Sequence, residues 1–171
     1  MDGSEYQKVH FGRVEGRIPD VDLELEARLQ AALREAIRRR LLKSAHDLSE
    51  GGLAVALAEC AIAGGATGGA AYADPTLKAP RFLGAHIDLG SAGPRPDLML
   101  FGEGPSRVVV SLAPENVESF TALLADLPHS NIGRVTAGPL TVIFNGESVV
   151  SLPVAQLHEQ PETTDRRPHR R

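Results

Sequence analysis

The run Leu53–Ile62, LAVALAECAI, constrains the fold more than any other feature of the chain. On a helix it is apolar nearly all round, and such a helix is buried on more than one side. Whatever the chain folds into has to surround it. Directly ahead stands Ser44-Ala45-His46-Asp47-Leu48-Ser49-Glu50-Gly51-Gly52, which packs an imidazole, carboxylates, hydroxyls and a glycine pair into one loop. Gly64-Gly65 is expected to end the helix, and Gly68-Gly69 to prolong the break.

The remaining elements follow from periodicity. Residues 21–42 predict an amphipathic helix, with Leu25, Leu29, Ala32, Leu33, Ala36 and Ile37 on one face. Asp20 or Asp22 can cap it, and Glu24 and Glu26 suit its positive end. Arg38, Arg39 and Arg40 in the last turn read as dipole complementation on a solvated face in preference to an anion site. Residues 1–20 read as an extended or looping entry, 43–51 as a loop and 66–82 as a loop or weak strand. Downstream the pattern turns to strands: Ala85–Leu89, the short apolar run Leu98–Phe101, Arg107–Leu112, Ile132–Thr136, Leu140–Phe144 and Ser148–Leu152. Asn145-Gly146 is the strongest hairpin signal. Pro114 opens a helix through Leu124 and Pro153 a short final one. Glu159–Arg171 contains no hydrophobic residue and is expected to be disordered. Helices do not alternate regularly with strands, which favours an α+β fold.

Composition narrows the function. The 171 residues fit one domain, and 42% hydrophobic content supplies a core. A net charge of −4 argues against nucleic acid as the main partner. Few aromatics and no Trp weigh against base or sugar stacking. The single cysteine, Cys60, excludes an intramolecular disulfide and reads as a buried thiol in a reducing compartment; no neighbour obviously lowers its pKa. Residues 1–20 carry no apolar block, and no segment approaches the ~20 apolar residues that span a bilayer. A cytoplasmic protein without membrane contact is the expectation.

Two constellations could carry chemistry. In the first, His46, Asp47 and Ser49 are too close in sequence to face one another as a triad, and no spaced partner completes a metal site. Two readings stay open. Asp47 or Ser49 caps the following helix while Gly51 and Gly52 permit close packing, or the loop presents backbone N–H groups to an anion. In the second, Phe101-Gly102-Glu103-Gly104-Pro105-Ser106-Arg107, Glu103, Ser106 and Arg107 could contact a polar ligand or phosphate, and a plain β-turn is at least as good a reading. His10, His86, His129 and His158 are isolated.

SAHDLSEGGLAVALAECAI resembles the signature of the large synthetase subunit of phosphoribosylformylglycinamidine synthase, in its second C-terminal-type domain. The resemblance extends through Gly3-Ser4-Glu5-Tyr6, Gly16-Arg17-Ile18-Pro19, Asp22–Glu26, Arg95-Pro96-Asp97, Leu100–Glu103, Ser106–Val110 and Ile132–Val135, over about residues 3–157. It implies a layered α/β/α domain with a mixed, mostly antiparallel sheet, like the C-terminal domain of aminoimidazole ribonucleotide synthetase. Residues 1–20 would be a linker or the trailing end of a missing upstream domain, 21–157 the domain itself and 158–171 a disordered tail.

The activity implied is ATP-dependent conversion of formylglycinamide ribonucleotide and glutamine-derived ammonia to the amidine, with ATP and Mg²⁺ serving the full enzyme. The family's metal carboxylates and catalytic histidine lie in other domains, so no residue here is assigned a catalytic or metal role. His46, Asp47, Ser49, Gly51 and Gly52 are the residues expected at a phosphate or ligand cleft, with Glu103, Ser106 and Arg107 as weaker candidates. The implied partners are the upstream domains, a glutamine amidotransferase subunit and a small accessory subunit. Glu103-Gly104-Pro105-Ser106-Arg107 departs from the family's pattern by lacking a glutamine, and the ending of the chain departs too. The chain alone is expected to be an inactive fragment that exposes an apolar surface where an upstream domain docks. A stand-alone binding or assembly module and a domain of a related synthetase are the competing readings.

Overall fold

The computed structural model describes residues 4–17, 19–66, 82–91 and 95–159. The elements are α1 (Glu5–Phe11), α2 (Leu23–Arg38), β1 (Leu42–Asp47), α3 (Gly52–Ala66), β2 (Gly84–Asp88), α4 (Pro96–Phe101), β3 (Val108–Leu112), a 3₁₀ turn (Pro114–Asn116), α5 (Val117–Leu124), β4 (Gly133–Thr136), β5 (Leu140–Phe144), β6 (Glu147–Leu152) and α6 (Val154–Glu159). The strands divide between two sheets. β1 and β3 form an antiparallel pair, with Asp47 opposite Val108. The other sheet has the order β4-β2-β5-β6, in which only the central β2–β5 pair is parallel. The fold is α+β, with mixed and mostly antiparallel pairing as expected.

α3 sits where its composition requires. It contacts β1 and β3 of the two-stranded pair, β2 and β5 of the larger sheet, and α4 and α6 besides. Leu53, Ala56, Leu57 and Ala61 are buried, and they share a core with Ile87, Leu100, Leu140, Val142 and Val154. A second core lies between α2, α5 and the β1–β3 pair, built on Ala32, Ala36, Leu41, Phe120, Leu124 and Leu127. Asp22 caps α2, its Oδ1 accepting from the N–H groups of Glu24 and Leu25 at 3.0 Å. Arg38 and Arg39 both pair with Glu35 on the surface, as the solvated-face reading expects. Asn145-Gly146 turns the β5–β6 hairpin, both residues at positive φ.

Several expectations fail locally. Residues 5–11 are helical, not extended; Ser4 caps the turn by accepting from the Gln7 N–H, and Gly12 ends it at φ 67°. Residues 42–47 are a strand, not a loop, because β3 supplies the pairing that their polar sequence does not advertise. Leu98–Phe101 belongs to a helix, not a strand: Pro96 occupies its first position and α3 receives its apolar side. α3 continues through Gly64-Gly65 to Ala66, since a glycine costs a propagating helix only about 1 kcal/mol. Ile37 is 58% exposed, off the buried stripe of α2. Val9, Phe11 and Val14 are exposed on the first segment. The expected loop or weak strand at 66–82 and the expected disordered tail fall almost wholly outside the described residues. Within the described ones, Val154 of α6 is buried and Leu157 packs on the larger core.

Candidate functional site

β1 delivers its last residues to the edge of an open cleft. Leu48 is buried, and its N–H donates to the Arg107 carbonyl at 3.0 Å, extending the β1–β3 ladder by one bond. Asp47 and Ser49 on either side of it point outward. The Ser49 hydroxyl donates to the Asp47 carboxylate, and this bond, ahead of the residue's own backbone, holds the Asp47 carboxyl below the usual carboxylate range. Neither side chain caps α3.

That role falls to the second constellation. Glu103 Oε1 accepts from the Gly51 N–H at 2.8 Å and from the Glu5 N–H at 2.9 Å, so one carboxylate oxygen serves the starts of two helices. The Gly52 N–H donates to the Ser49 carbonyl at 3.1 Å. Gly52, at φ 62°, lies against α4: a Cβ there would stand 2.8 Å from the carbonyl oxygens of Leu100 and Gly102. The glycine pair is therefore needed for close approach, and its N–H groups are already bonded. The observed contacts of the pair are those of close packing.

The two constellations meet across the cleft, about 600 Å³ in volume. Asp47, Ser49 and Glu50 form one stretch of its wall, and Glu103, Gly104, Ser106 and Arg107 the adjoining one. Ser106, at φ 58°, donates from its hydroxyl to Glu26 Oε2 of α2 at 2.5 Å. That bond, followed by the one from Gln30, lowers the Glu26 carboxyl from its ordinary value. Arg107 donates one N–H to the Gly102 carbonyl at 2.8 Å. Leu29, Leu33, Leu48 and Val108 provide an apolar floor.

The wall is rich in carboxylates, with Glu26, Asp47, Glu50 and Glu103 set against Arg107. Such a surface offers acceptors to hydroxyl and amine donors. Glu26 joins the site from the first turn of α2, a place that carries no sequence signal without the partner loop.

His46 faces elsewhere. Its Nδ1 lies 2.7 Å from the Asp47 carbonyl and its Nε2 3.0 Å from Glu59 of α3, so it braces the end of β1 against the helix and does not line the cleft. Gly51 and Gly52 are buried behind the wall. Burial, and then the Glu59 charge, pushes the Cys60 thiol up, against a nucleophilic role. Among the described residues no three His, Cys, Asp or Glu side chains converge as a metal site, and no helix is long and apolar enough to cross a membrane.

Residues 1–145 match the family model described as AIR synthase related protein, C-terminal domain. The chain belongs to this AIR synthase related C-terminal domain family. Curated relatives agree. The chain is 38% identical over 159 residues to phosphoribosylformylglycinamidine synthase subunit PurL of Alkaliphilus metalliredigens, covering 92% of this chain and 19% of that protein. It is 43% identical over 141 residues to the PurL subunit of Synechococcus sp. WH7803, covering 82% and 15%. The chain thus spans about a fifth or less of the length of these relatives.

Among solved structures it is similar to Thermotoga maritima PurL complexed with FGAR, with a TM-score of 0.67 and 22% identity over 90% of this chain and 24% of that one. It is likewise similar to a chain of the PurLQS structure from the same organism, with a TM-score of 0.65 and 21% identity over 94% and 25%. At these identities the structures show the shared fold of the AIR synthase related C-terminal domain.

Proposed function

We propose that the chain works as the C-terminal domain of an ATP-dependent ligase that makes formylglycinamidine ribonucleotide. The observation that carries this reading is the 38% identity to a PurL subunit over 92% of the chain. In the proposed reaction the amide oxygen of formylglycinamide ribonucleotide attacks the γ-phosphorus of ATP and ADP leaves. Ammonia then adds to the activated carbon, and phosphate departs with the C–O bond. Residues 21–157 would form the domain, with the preceding segment joining it to the rest of a longer polypeptide. A glutamine amidotransferase subunit and a small accessory subunit would complete the complex in the cytoplasm.

The role of this chain is to wall the cleft, not to perform the transfer. Asp47, Ser49 and Glu103 offer acceptors suited to ribose hydroxyls or a base amine, while phosphate falls to groups outside the chain. Nothing among the described residues gathers three carboxylate or imidazole side chains to hold Mg²⁺. The metal would belong to other domains.

The test is a graft in which this chain replaces the corresponding domain of the Alkaliphilus metalliredigens subunit. The graft should form the amidine from formylglycinamide ribonucleotide, ATP and ammonia, and the chain alone should not. A folded graft that fails with this substrate, or turnover by the isolated chain, overturns the reading.

A further inference from the structure

Glu103 stands at a junction that none of the family resemblances assigns. Its Oε1 bonds the backbone of Glu5, the first residue of α1, and that of Gly51, just ahead of α3, residues 46 positions apart. Two further contacts converge there. Phe101 stacks on Tyr6 of α1 with ring centroids 4.9 Å apart. The backbone of Leu100 and Gly102 lies so close to Gly52 that no Cβ fits between them. The loop after α4 therefore grips α1 on one side and abuts the Asp47–Gly51 loop on the other. A displacement of α1 cannot leave the cleft wall where it is unless the shared oxygen gives up one of its bonds.

We infer that Glu103 is a positioning residue, coupling the segment Ser4–Phe11 to the cleft wall Asp47–Gly51. The bearing on ligand rests on the cleft reading above; the coupling does not. In a longer protein the polypeptide entering α1 would thereby set the spacing of the carboxylate wall.

Amide hydrogen exchange on the 171-residue chain tests this without any ligand. Glu103→Ala removes the acceptor, Glu103→Gln keeps a carbonyl oxygen at the same reach, and Tyr6→Ala loosens α1 without touching either bond. The Val142 amide, in the middle of the larger sheet, serves as the internal reference. Glu103→Ala should speed exchange at Glu5 and Gly51 by about tenfold to a hundredfold, the loss expected for a hydrogen bond to a charged group. Glu103→Gln should restore most of that protection. Tyr6→Ala should speed exchange at Gly51 several-fold, although Tyr6 belongs to α1 and not to that loop. In each variant Val142 should be unchanged.

If Tyr6→Ala leaves Gly51 at its native rate, the coupling is absent. If Glu103→Gln behaves as Glu103→Ala, or if Val142 accelerates together with Gly51, Glu103 supports the fold as a whole and does not position the wall. An inactive graft with these exchange results intact would overturn the ligase and leave the coupling standing.

Discussion

The two cores are built on opposite plans. In the larger, α3 is flanked by strands of both sheets and by α4 and α6, and seven of the ten side chains from Leu53 to Ile62 belong to the core, with Val55 and Glu59 left exposed. In the smaller, α2 and α5 cover one face of a two-stranded ribbon, and α2 keeps Leu23 and Ile37 in solvent at 77% and 58% exposure. Enclosure leaves little freedom to relax, whereas a two-layer stack open on its outer side can shift. The cleft lies along the seam, with α2 of the smaller unit on one side and the loops at the starts of α3 and β3 on the other. One wall is thus anchored in rigid packing and the other on a helix held by a single stripe.

The largest effects should separate the two cores. Leu57 and Leu124 are equally buried, each at 6% exposure, so truncation at either removes the same chemistry. Leu→Ala costs about 2–5 kcal/mol, and the spread reflects how far the site collapses. Leu57→Ala should fall in the upper half of that range because α3 is enclosed. Leu124→Ala should fall in the lower half because α5 can settle toward α2. Urea unfolding of both variants measures the difference; equal losses would abolish the distinction between the cores.

A middle-sized effect separates glycines of like conformation. Gly12 and Gly52 have φ of 67° and 62°. A methyl at Gly12 would meet nothing within 4 Å, and one at Gly52 would press on two carbonyl oxygens at 2.8 Å. Both alanine variants carry the left-handed strain of about 1–2 kcal/mol. Gly52→Ala should lose more than Gly12→Ala in thermal unfolding, because backbone must move as well. Equal melting temperatures would mean that α4 yields freely at the seam.

What the sequence reveals follows the same division. The enclosed helix announces itself by being apolar all round, and the hairpin by Asn145-Gly146; both are local signals. α1 was also marked, by Ser4 and Gln7 in capping-box spacing and by Gly12 at the far end, but its short length and the scattered glycines obscured it. Pro96 marked α4 in the same way. β1 carried no mark. Lys43, Ser44 and Ala45 are exposed, and only Val108–Leu112, far along the chain, makes them a strand. The site divides likewise. Asp47 and Ser49 were legible because they adjoin the glycine pair. Glu26 was not, since its partner Ser106 is supplied by tertiary structure, and His46 turned away from the cleft because Glu59 receives it.

The smallest effect tests the strap across the seam. Ser106 joins the loop after α4 to Glu26 of α2, whereas Ser49 and Asp47 bond within one wall. Both hydroxyls lower the carboxyl they touch. Ser106→Ala should return Glu26 toward the ordinary glutamate value, and Ser49→Ala should return Asp47 toward the ordinary aspartate value. A carboxyl whose folded value is depressed contributes its bond fully above the unfolded value and loses it as pH falls through the folded one. The Glu26 strap should therefore persist at neutral pH and release on acidification, at a pH below the ordinary glutamate range. Carboxyl chemical shifts followed through that titration read both residues. Protonating Glu26 should also shift α2 resonances, because its bond spans the two units, while protonating Asp47 should shift only its own loop. If acidification perturbs α2 no more than the 47–50 loop, the seam is held by its apolar floor and not by the strap.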